Sequence, residues 1–332
     1  MKNKLLGAQV EAVVNGRAFG SVAERLLANG FKVNELRQNA TTLRHEEWQF
    51  YDQAIVDAAR PILVGVNDLS SRGLVFNLDG MANKILMWET GSASGGAQMG
   101  MKPNLTPRGD RKTFTPHYLP LVCTFDYFNI DIRDLNSSRK GTMSLDKSQA
   151  ADCGFNVADK IEEVLFRGAS SYKFGDAIIY GYCDHPDRNQ VTLATQWDAS
   201  AATGAIIVDD VLAMRQALLD DYQYGPCGLY VPPNYASAIA EDYKTYGTIT
   251  VAQRIAEIEG IEFVKVAPKL ADDNVVLVQL SSKTVEIVIG MDITNIPWES
   301  PGGFELNQLV LAIMVPRIKS DDDGRCGVAH LA

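Results

Sequence analysis

The most reactive pair of side chains in the sequence is a cysteine and a histidine two positions apart, Cys183 and His185. A thiolate beside an imidazole can attack a carbonyl group or bind a metal ion. Residues two apart rarely face each other, however, and Pro186 follows directly, so this stretch predicts a plain turn. The four histidines lack HExxH spacing, and the sequence contains no P-loop, GxGxxG or GxSxG motif. We therefore expect a protein that is not an enzyme and has no cofactor.

Two further groups of residues could bind a metal ion. Asp321–Asp323 could attract Ca²⁺, but the EF-hand spacing and its closing Glu are absent, so a solvated acidic turn is expected. The five cysteines are scattered, odd in number and without a CxxC pair, which argues against a disulfide framework and a zinc site. The sequence predicts free, buried thiols and no metal.

The charge of the chain is unevenly distributed. The net charge is −10, yet residues 1–44 carry +4 and residues 78–118 carry +2, whereas residues 119–332 carry −13. The two basic segments could be attracted to the acidic body of another copy, although excesses this small also arise by chance. The overall acidity argues against direct binding of nucleic acid.

Targeting and membrane signals are not evident. Lys2 and Lys4 resemble a basic start, but Glu11 interrupts the apolar run and no cleavage site follows. The longest apolar run, Leu309–Val315, has seven residues, far short of a membrane span. We expect a soluble chain that is made in the cytosol.

Residues 78–118 are unusual for a compact domain. The middle of this segment is dense in Gly, Ser and Pro, and strand-like runs flank it at 83–89 and 112–118. Loops this long are uncommon and are usually functional or disordered. The pattern predicts a two-stranded arm with a flexible tip. Because a lone two-stranded ribbon is marginal in water, the arm should lie on something, and a second copy of the chain is the obvious candidate. A disordered linker is the alternative.

Periodic patterns predict the elements around this arm. Amphipathic helices are expected at 44–62 and at 147–167, the second one between a cap at Asp146 and a left-handed Gly168. Residues 65–78 predict a turn and a strand, and residues 119–133 a strand. From 206 to 300 helical patterns alternate with apolar runs, which favours a mixed sheet, and Ser281-Ser282 is a candidate hairpin turn. The run 306–315 predicts a buried strand that returns to the first part of the chain.

Three stretches carry a family resemblance. They are residues 43–74, residues 179–189 with the string IYGYCDHPDRN, and residues 311–330 with the string LAIMVPRIKSDDDGRCGVAH. The chain resembles the major capsid proteins of tailed bacteriophages, in the branch closest to encapsulins, over nearly its whole length. The resemblance implies an α+β chain with the Hong Kong 97-type capsid fold. It divides the chain into an N-terminal arm (1–42), an extended loop (78–118), a peripheral domain (43–77, 119–205 and 301–332, with a spine helix at 147–167) and an axial domain (206–300).

The implied function is a shell that identical subunits build around phage DNA, as hexamers and pentamers, without sequence-specific DNA binding and without a membrane. Scaffold, portal and decoration proteins are the implied partners. The shell would be the virion capsid and would form in the cytoplasm of the bacterial host. Aromatic residues and Met are enriched in interface cores, so Met87 and Trp88 are anchor candidates, with burial in their own subunit as the alternative. The candidate inter-subunit contacts are Met87, Trp88, Gly95, Gly96, Lys102, Arg108, Arg111 and Arg25.

Two other functions stay open at this point. An encapsulin-like compartment would enclose a cargo enzyme instead of a genome. Encapsulins usually begin near the helix that corresponds to residues 44–62, whereas this chain has about 40 residues before it. A soluble oligomeric enzyme with an unrecognised site is the third hypothesis.

Overall fold

A computed structural model describes residue 43 and residues 45–92, 101, 111–139, 146–175, 177–244, 249–299 and 305–332. The predicted N-terminal arm lies outside the described residues. The helices are α1 (His45–Ala59), α2 (Val64–Ser71), α3 (Ile132–Arg139), α4 (Ser148–Arg167), α5 (Gly204–Asp220), α6 (Ala236–Ala240) and α7 (Val251–Ala256). The strands are β1 (Val75–Asn77), β2 (Ile85–Gly91), β3 (Phe114–Pro120), β4 (Thr124–Asp131), β5 (Ala169–Phe174), β6 (Ala177–Ile179), β7 (Asn189–Val191), β8 (Cys227–Val231), β9 (Ile261–Val266), β10 (Val275–Gln279), β11 (Val285–Glu299), β12 (Glu305–Ile318) and β13 (Val328–Leu331).

The chain divides into two compact units. The first unit contains the described residues up to Lys84 together with Leu121–Glu163 and Ile287–Val315. The second unit contains Ile85–Pro120, Val164–Glu286 and Pro316–Ala332. Among the described residues, no helix is both long enough and apolar enough to cross a membrane.

The first unit is built on a four-stranded sheet in the order β1-β11-β12-β4. β12 runs antiparallel to β4, with Leu306 opposite Ile130, so the predicted return of this strand to the first part of the chain is confirmed. Helices α1 and α4 approach each other at Gly154, where any Cβ would overlap the backbone of Ile55. The buried ring of Tyr51 on α1 lies 5.9 Å from the ring of Phe128 on β4.

Helix α4 confirms the helix predicted at 147–167 and both of its ends. Asp146 Oδ1 accepts a hydrogen bond from the amide of Ser148 at 2.9 Å, which satisfies one of the free N–H groups of the first turn. Gly168 follows the helix with φ of +72°, a left-handed conformation that Gly adopts at little cost.

The second unit contains a five-stranded mixed sheet in the order β7-β13-β10-β8-β9. β10 pairs antiparallel with both β8 and β13, whereas β9 and β7 are parallel to their neighbours. Helix α5 contributes Val211 and Met214 to a core that also contains Leu229, Leu277 and Trp197. This arrangement confirms the predicted alternation of helices with a mixed sheet.

Three local predictions are wrong. Residues 65–78 were expected to form a turn and a strand, but Val64–Ser71 is a helix and the strand is only Val75–Asn77. Ser281-Ser282 does not turn a hairpin, because β10 before it and β11 after it belong to different sheets. The prediction that all thiols are buried fails at Cys123, which is exposed, and at Cys183, which is half-buried.

The first error has an identifiable cause. Helix α2 has no side-chain cap of its own. Instead, Glu162 on α4 accepts hydrogen bonds from the amides of Gly65, at 2.5 Å, and Val66, at 3.4 Å. A carboxylate at a helix N-terminus stabilises the free N–H groups there. This helix therefore depends on a residue almost a hundred positions away, which no local pattern reveals.

Candidate inter-subunit contact surface

The predicted two-stranded arm is confirmed at its base. β2 and β3 form an antiparallel ribbon in which Trp88 lies opposite His117 and Met87 opposite Tyr118. Because side chains alternate between the two sides of a strand, the ribbon has two different faces. We call the side that carries Trp88 and His117 the inner face, and the side that carries Met87 and Tyr118 the outer face.

The inner face is held by its own unit. The rings of Trp88 and His117 are stacked, with centroids 5.5 Å apart, and His117 Nε2 lies 2.9 Å from the hydroxyl of Thr90. The guanidinium of Arg317 at the end of β12 lies 5.8 Å from the Trp88 ring centre, within range of a cation–π interaction. Trp88 therefore contacts both His117 and Arg317 of its own chain.

An ion cluster fixes Arg317 in this position. Its guanidinium forms an ion pair with Glu286, and Lys319 Nζ lies 2.9 Å from the same carboxylate. Burial opposes ionisation of Glu286, but the hydrogen bonds and charges of Arg317 and Lys319 prevail and lower its pKa. The carboxylate is thus ionised at neutral pH, and Arg317 is held against the ribbon.

A cavity of about 330 Å³ lies beside the inner face, lined by residues that include Trp88, Tyr180 and His185. Burial lowers the pKa of His185 to about 4, so its imidazole is neutral at physiological pH. Burial likewise raises the pKa of the Cys183 thiol to about 12, which leaves almost no thiolate. This chemistry offers no support for a thiol–imidazole site. Within the described ranges, no three His, Cys, Asp or Glu side chains could share a metal ion.

The outer face is exposed and, apart from Glu89 opposite Pro116, apolar. Met87 retains 54% of its accessible surface, Tyr118 48% and Phe114 63%. Ile85 lies on the same face and is also exposed. Contiguous apolar surface of this kind marks interaction sites in soluble proteins. The outer face is therefore the part of the ribbon that is suited to contact another molecule.

Residues 109–331 match a family model described as "Family of unknown function (DUF6260)". The chain belongs to this family. No curated protein matches the sequence. Several solved structures match the fold of this DUF6260 chain at low sequence identity.

The virus-like particle from Pyrococcus furiosus is 18% identical, has a TM-score of 0.61, and covers 86% of this chain and 100% of its own. The capsid of Myoviridae Phage XM1 is 10% identical, has a TM-score of 0.57, and covers 79% and 90%. The capsid of a native GTA particle is 13% identical, has a TM-score of 0.55, and covers 89% and 92%. The predicted α+β, Hong Kong 97-type capsid fold of the DUF6260 chain is confirmed.

The structure separates the two predicted anchors of the DUF6260 chain. Met87 lies on the exposed outer face, whereas Trp88 lies on the inner face against Arg317. Arg111 is exposed just before β3. The other candidates lie outside the described residues: Gly95, Gly96, Lys102, Arg108 and Arg25.

Sequence reasoning missed Phe114 and Tyr118, which share the outer face with Met87. Their alternation within β3 was visible, but their partners on β2 depend on the pairing register, which the sequence did not specify. The role of Arg317 was also missed, because it rests on a contact with a residue more than two hundred positions away.

Proposed function

We propose that this chain is the major capsid protein of a tailed bacteriophage, a subunit that closes with identical copies into an icosahedral shell around the DNA genome. The observation that carries the proposal is the likeness to capsid structures over most of the chain, including 79% of it for phage XM1 and 89% for the GTA particle. The outer face of the ribbon supplies a physical reason for assembly.

The ribbon offers apolar surface that a second copy can cover. A two-stranded ribbon alone is marginal in water, and its inner face already packs on its own unit. Covering the outer side chains, such as Met87 and Phe114, removes apolar area from water, which stabilises association. Repetition of one such contact between identical chains generates a closed, symmetric assembly.

The remaining parts of the proposal follow the capsid fold. The subunits would form hexamers and pentamers, and the shell would be the virion capsid, assembled in the bacterial cytoplasm. Scaffold, portal and decoration proteins are proposed partners. An acidic chain with a net charge of −10 suits enclosure of DNA without sequence-specific binding. The proposed parts are the N-terminal arm (1–42), the extended loop (78–118), the peripheral domain (43–77, 119–205 and 301–332) and the axial domain (206–300).

Deletion of residues 92–101 tests the role of the loop. We expect subunits that fold but do not close into shells, because the deletion shortens the extended loop beyond the ribbon and leaves β2 and β3 in place. Thermal unfolding reports folding, and negative-stain electron microscopy reports closure. A matched variant replaces the same ten residues with a Gly/Ser segment of equal length, which separates the effect of length from that of side chains. Normal shells from the deletion variant would contradict the proposal for the loop.

The alternative is an encapsulin-like compartment, and the contents of the shell distinguish the two. Purified particles would be treated with nuclease, washed, opened and analysed for nucleic acid and for copurified protein. Protected DNA in particles from infected cells supports the phage capsid. One abundant cargo enzyme with no DNA would establish the alternative instead.

A further inference from the structure

The cavity beside the inner face of the ribbon has the size of a binding site for a small molecule. Its volume of about 330 Å³ lies at the lower end of the range for such sites, which suits a ligand of one or two fused rings. Side chains from the ribbon, from residues 177–187 and from residues 316–320 line it, and all of them belong to the second unit. We call it the inner-face cavity.

The walls of the inner-face cavity are largely apolar and have a constrained backbone. Leu119, Ala177 and Ile318 are buried where they line it. Three separate segments each contribute a proline to the lining: Pro116, Pro186 and Pro316. Because the proline ring fixes φ, this part of the backbone has little freedom to lose when a ligand binds.

The buried imidazole of His185 brings a hydrogen-bond donor to this cavity. The side chain retains only 6% of its accessible surface. Its Nδ1 accepts a hydrogen bond from the amide of Asp187 at 3.3 Å, so the proton of the neutral ring lies on Nε2. Within the part of the chain that the structure describes, nothing accepts a hydrogen bond from Nε2. A buried donor without an acceptor is unfavourable, and an acceptor on a bound molecule would satisfy it.

Asp187 brings an acceptor to the same cavity, two residues further along the chain. Its Oδ2 accepts a hydrogen bond from the hydroxyl of Ser320 at 2.6 Å. The other oxygen, Oδ1, receives no hydrogen bond from any described residue. His185 and Asp187 therefore offer one donor and one acceptor from a single short turn. The complementary ligand has an acceptor next to an N–H donor.

The remaining lining residues favour a flat and uncharged ligand. Trp88 and His117 present stacked rings, and the ring of Tyr180 lies edge to face against His185 with centroids 5.6 Å apart. Aromatic rings pack well on planar molecules. Among the described lining residues Arg317 is the only Lys or Arg, and it is already paired with Glu286. The cavity thus holds no spare cation for a phosphate group.

We propose that the inner-face cavity binds a planar heterocycle in which a carbonyl group lies next to an N–H group, the lactam arrangement of guanine. His185 Nε2 donates to the carbonyl oxygen, and Asp187 Oδ1 accepts from the ring N–H. The amino group of guanine adds a second donor beside the carboxylate. An adenine edge would instead bring the lone pair of a ring nitrogen next to the carboxylate, which is repulsive. The unphosphorylated nucleoside is therefore the expected form of a guanine ligand.

Equilibrium dialysis of the purified full chain against radiolabelled guanosine tests the proposal. We expect saturable binding at one site per chain, with a dissociation constant below about 1 mM for a ligand of this size. Competition with 1-methylguanosine, which lacks the ring N–H, and with adenosine should be at least about tenfold weaker than with unlabelled guanosine, because a hydrogen bond to the carboxylate is lost. These comparisons need no change to the protein. Absence of saturable guanosine binding would overturn the proposal, and so would equally strong competition by either analogue.

Three protein variants locate the site. His185→Phe keeps a flat ring but removes the donor, and Asp187→Asn replaces a carboxylate oxygen with an amide group; each should weaken guanosine binding about tenfold. Ile178→Phe places a larger side chain in the lining and should abolish binding while leaving the polar pair in place. The control is Asp198→Asn, an exposed residue outside the lining, which should bind like the wild type. Thermal unfolding shows that each variant is folded at the temperature of dialysis. Wild-type affinity in His185→Phe and Ile178→Phe would overturn the assignment of the site.

The site belongs to a single chain, so its test is independent of the proposed shell. Electron microscopy of the same preparation reports assembly. Shells that bind no guanosine would contradict only the ligand site, whereas a chain that binds guanosine and never assembles would contradict only the capsid proposal.

Discussion

The buried carboxyl group of Glu162 makes the most quantitative prediction. The side chain is fully buried on α4 and accepts hydrogen bonds from Gly65 and Val66 at the start of α2. Burial raises the pKa of Glu162 to about 7 from its ordinary 4.5, and the charge of Asp68 adds to the rise, although the two amides act against it. The folded protein therefore binds a proton that the unfolded chain releases at any pH between these two values.

The sign of the pH effect follows from this difference. Where the folded state binds more protons than the unfolded state, the free energy of unfolding increases as the pH falls. For Glu162 the gain begins near pH 7 and is complete near pH 4.5. A difference of about 2.5 pH units between the two pKa values corresponds to roughly 3 kcal/mol.

Glu162→Gln removes this titration and keeps an oxygen that can accept one of the two amide hydrogen bonds. We expect the free energy of unfolding of the wild type, relative to the Gln variant, to rise by about 3 kcal/mol between pH 8 and pH 4.5. Urea unfolding of dissociated subunits at several pH values measures this difference and cancels the titration of other groups. Glu163→Gln, on the same helix and partly exposed, is the matched control and should show no such trend. Wild-type and Gln curves that stay parallel within about 0.5 kcal/mol would refute the reasoning.

Three further changes have expected results that unfolding experiments can check. Burial, and then the nearby charge of Arg188, lower the pKa of His330 to about 4, so below pH 6.5 the unfolded chain binds a proton that the folded chain does not. The free energy of unfolding of the wild type should therefore fall by about 3 kcal/mol between pH 6.5 and pH 4 because of this group, and His330→Asn should remove that fall, as measured by urea unfolding. Gly168→Ala should lower the free energy of unfolding by at least about 2 kcal/mol, because φ is +72° and the new Cβ would overlap the Asp184 carboxylate. Arg317→Met should cost about 1–2 kcal/mol in the same measurement, since it leaves the half-buried carboxylate of Glu286 with one partner fewer; an unchanged unfolding midpoint would show that the ion pair contributes nothing.

The sequence predicted elements whose cause is local. Helix α4 has an amphipathic face, a capping Asp146 and a terminal Gly168, all within its own segment, and the structure confirms each of them. The ribbon was predictable from the contrast between strand-like runs and the Gly-rich segment that they enclose. The capsid fold itself followed from family resemblance and not from these patterns.

Elements with distant causes were not predictable. Helix α2 depends on Glu162 from another helix, so its apolar residues resembled a strand. The chain leaves the five-stranded sheet at Gln279 and enters the four-stranded sheet at Val285, and only the positions of the partner strands distinguish this path from a hairpin. Trp88 and Met87 are neighbours of similar character, and only the register with β3 and the contact with Arg317 decide which of them faces outward.

Electron microscopy of the purified chain tests the central claim most directly. The account holds that identical chains cover one another's exposed ribbon faces and close into a shell. The preparation should then contain closed, uniform particles with masses on the order of megadaltons, as expected for many copies in point-group symmetry. A stable monomer or small oligomer, at concentrations where the exposed outer face would be expected to associate, would contradict the account.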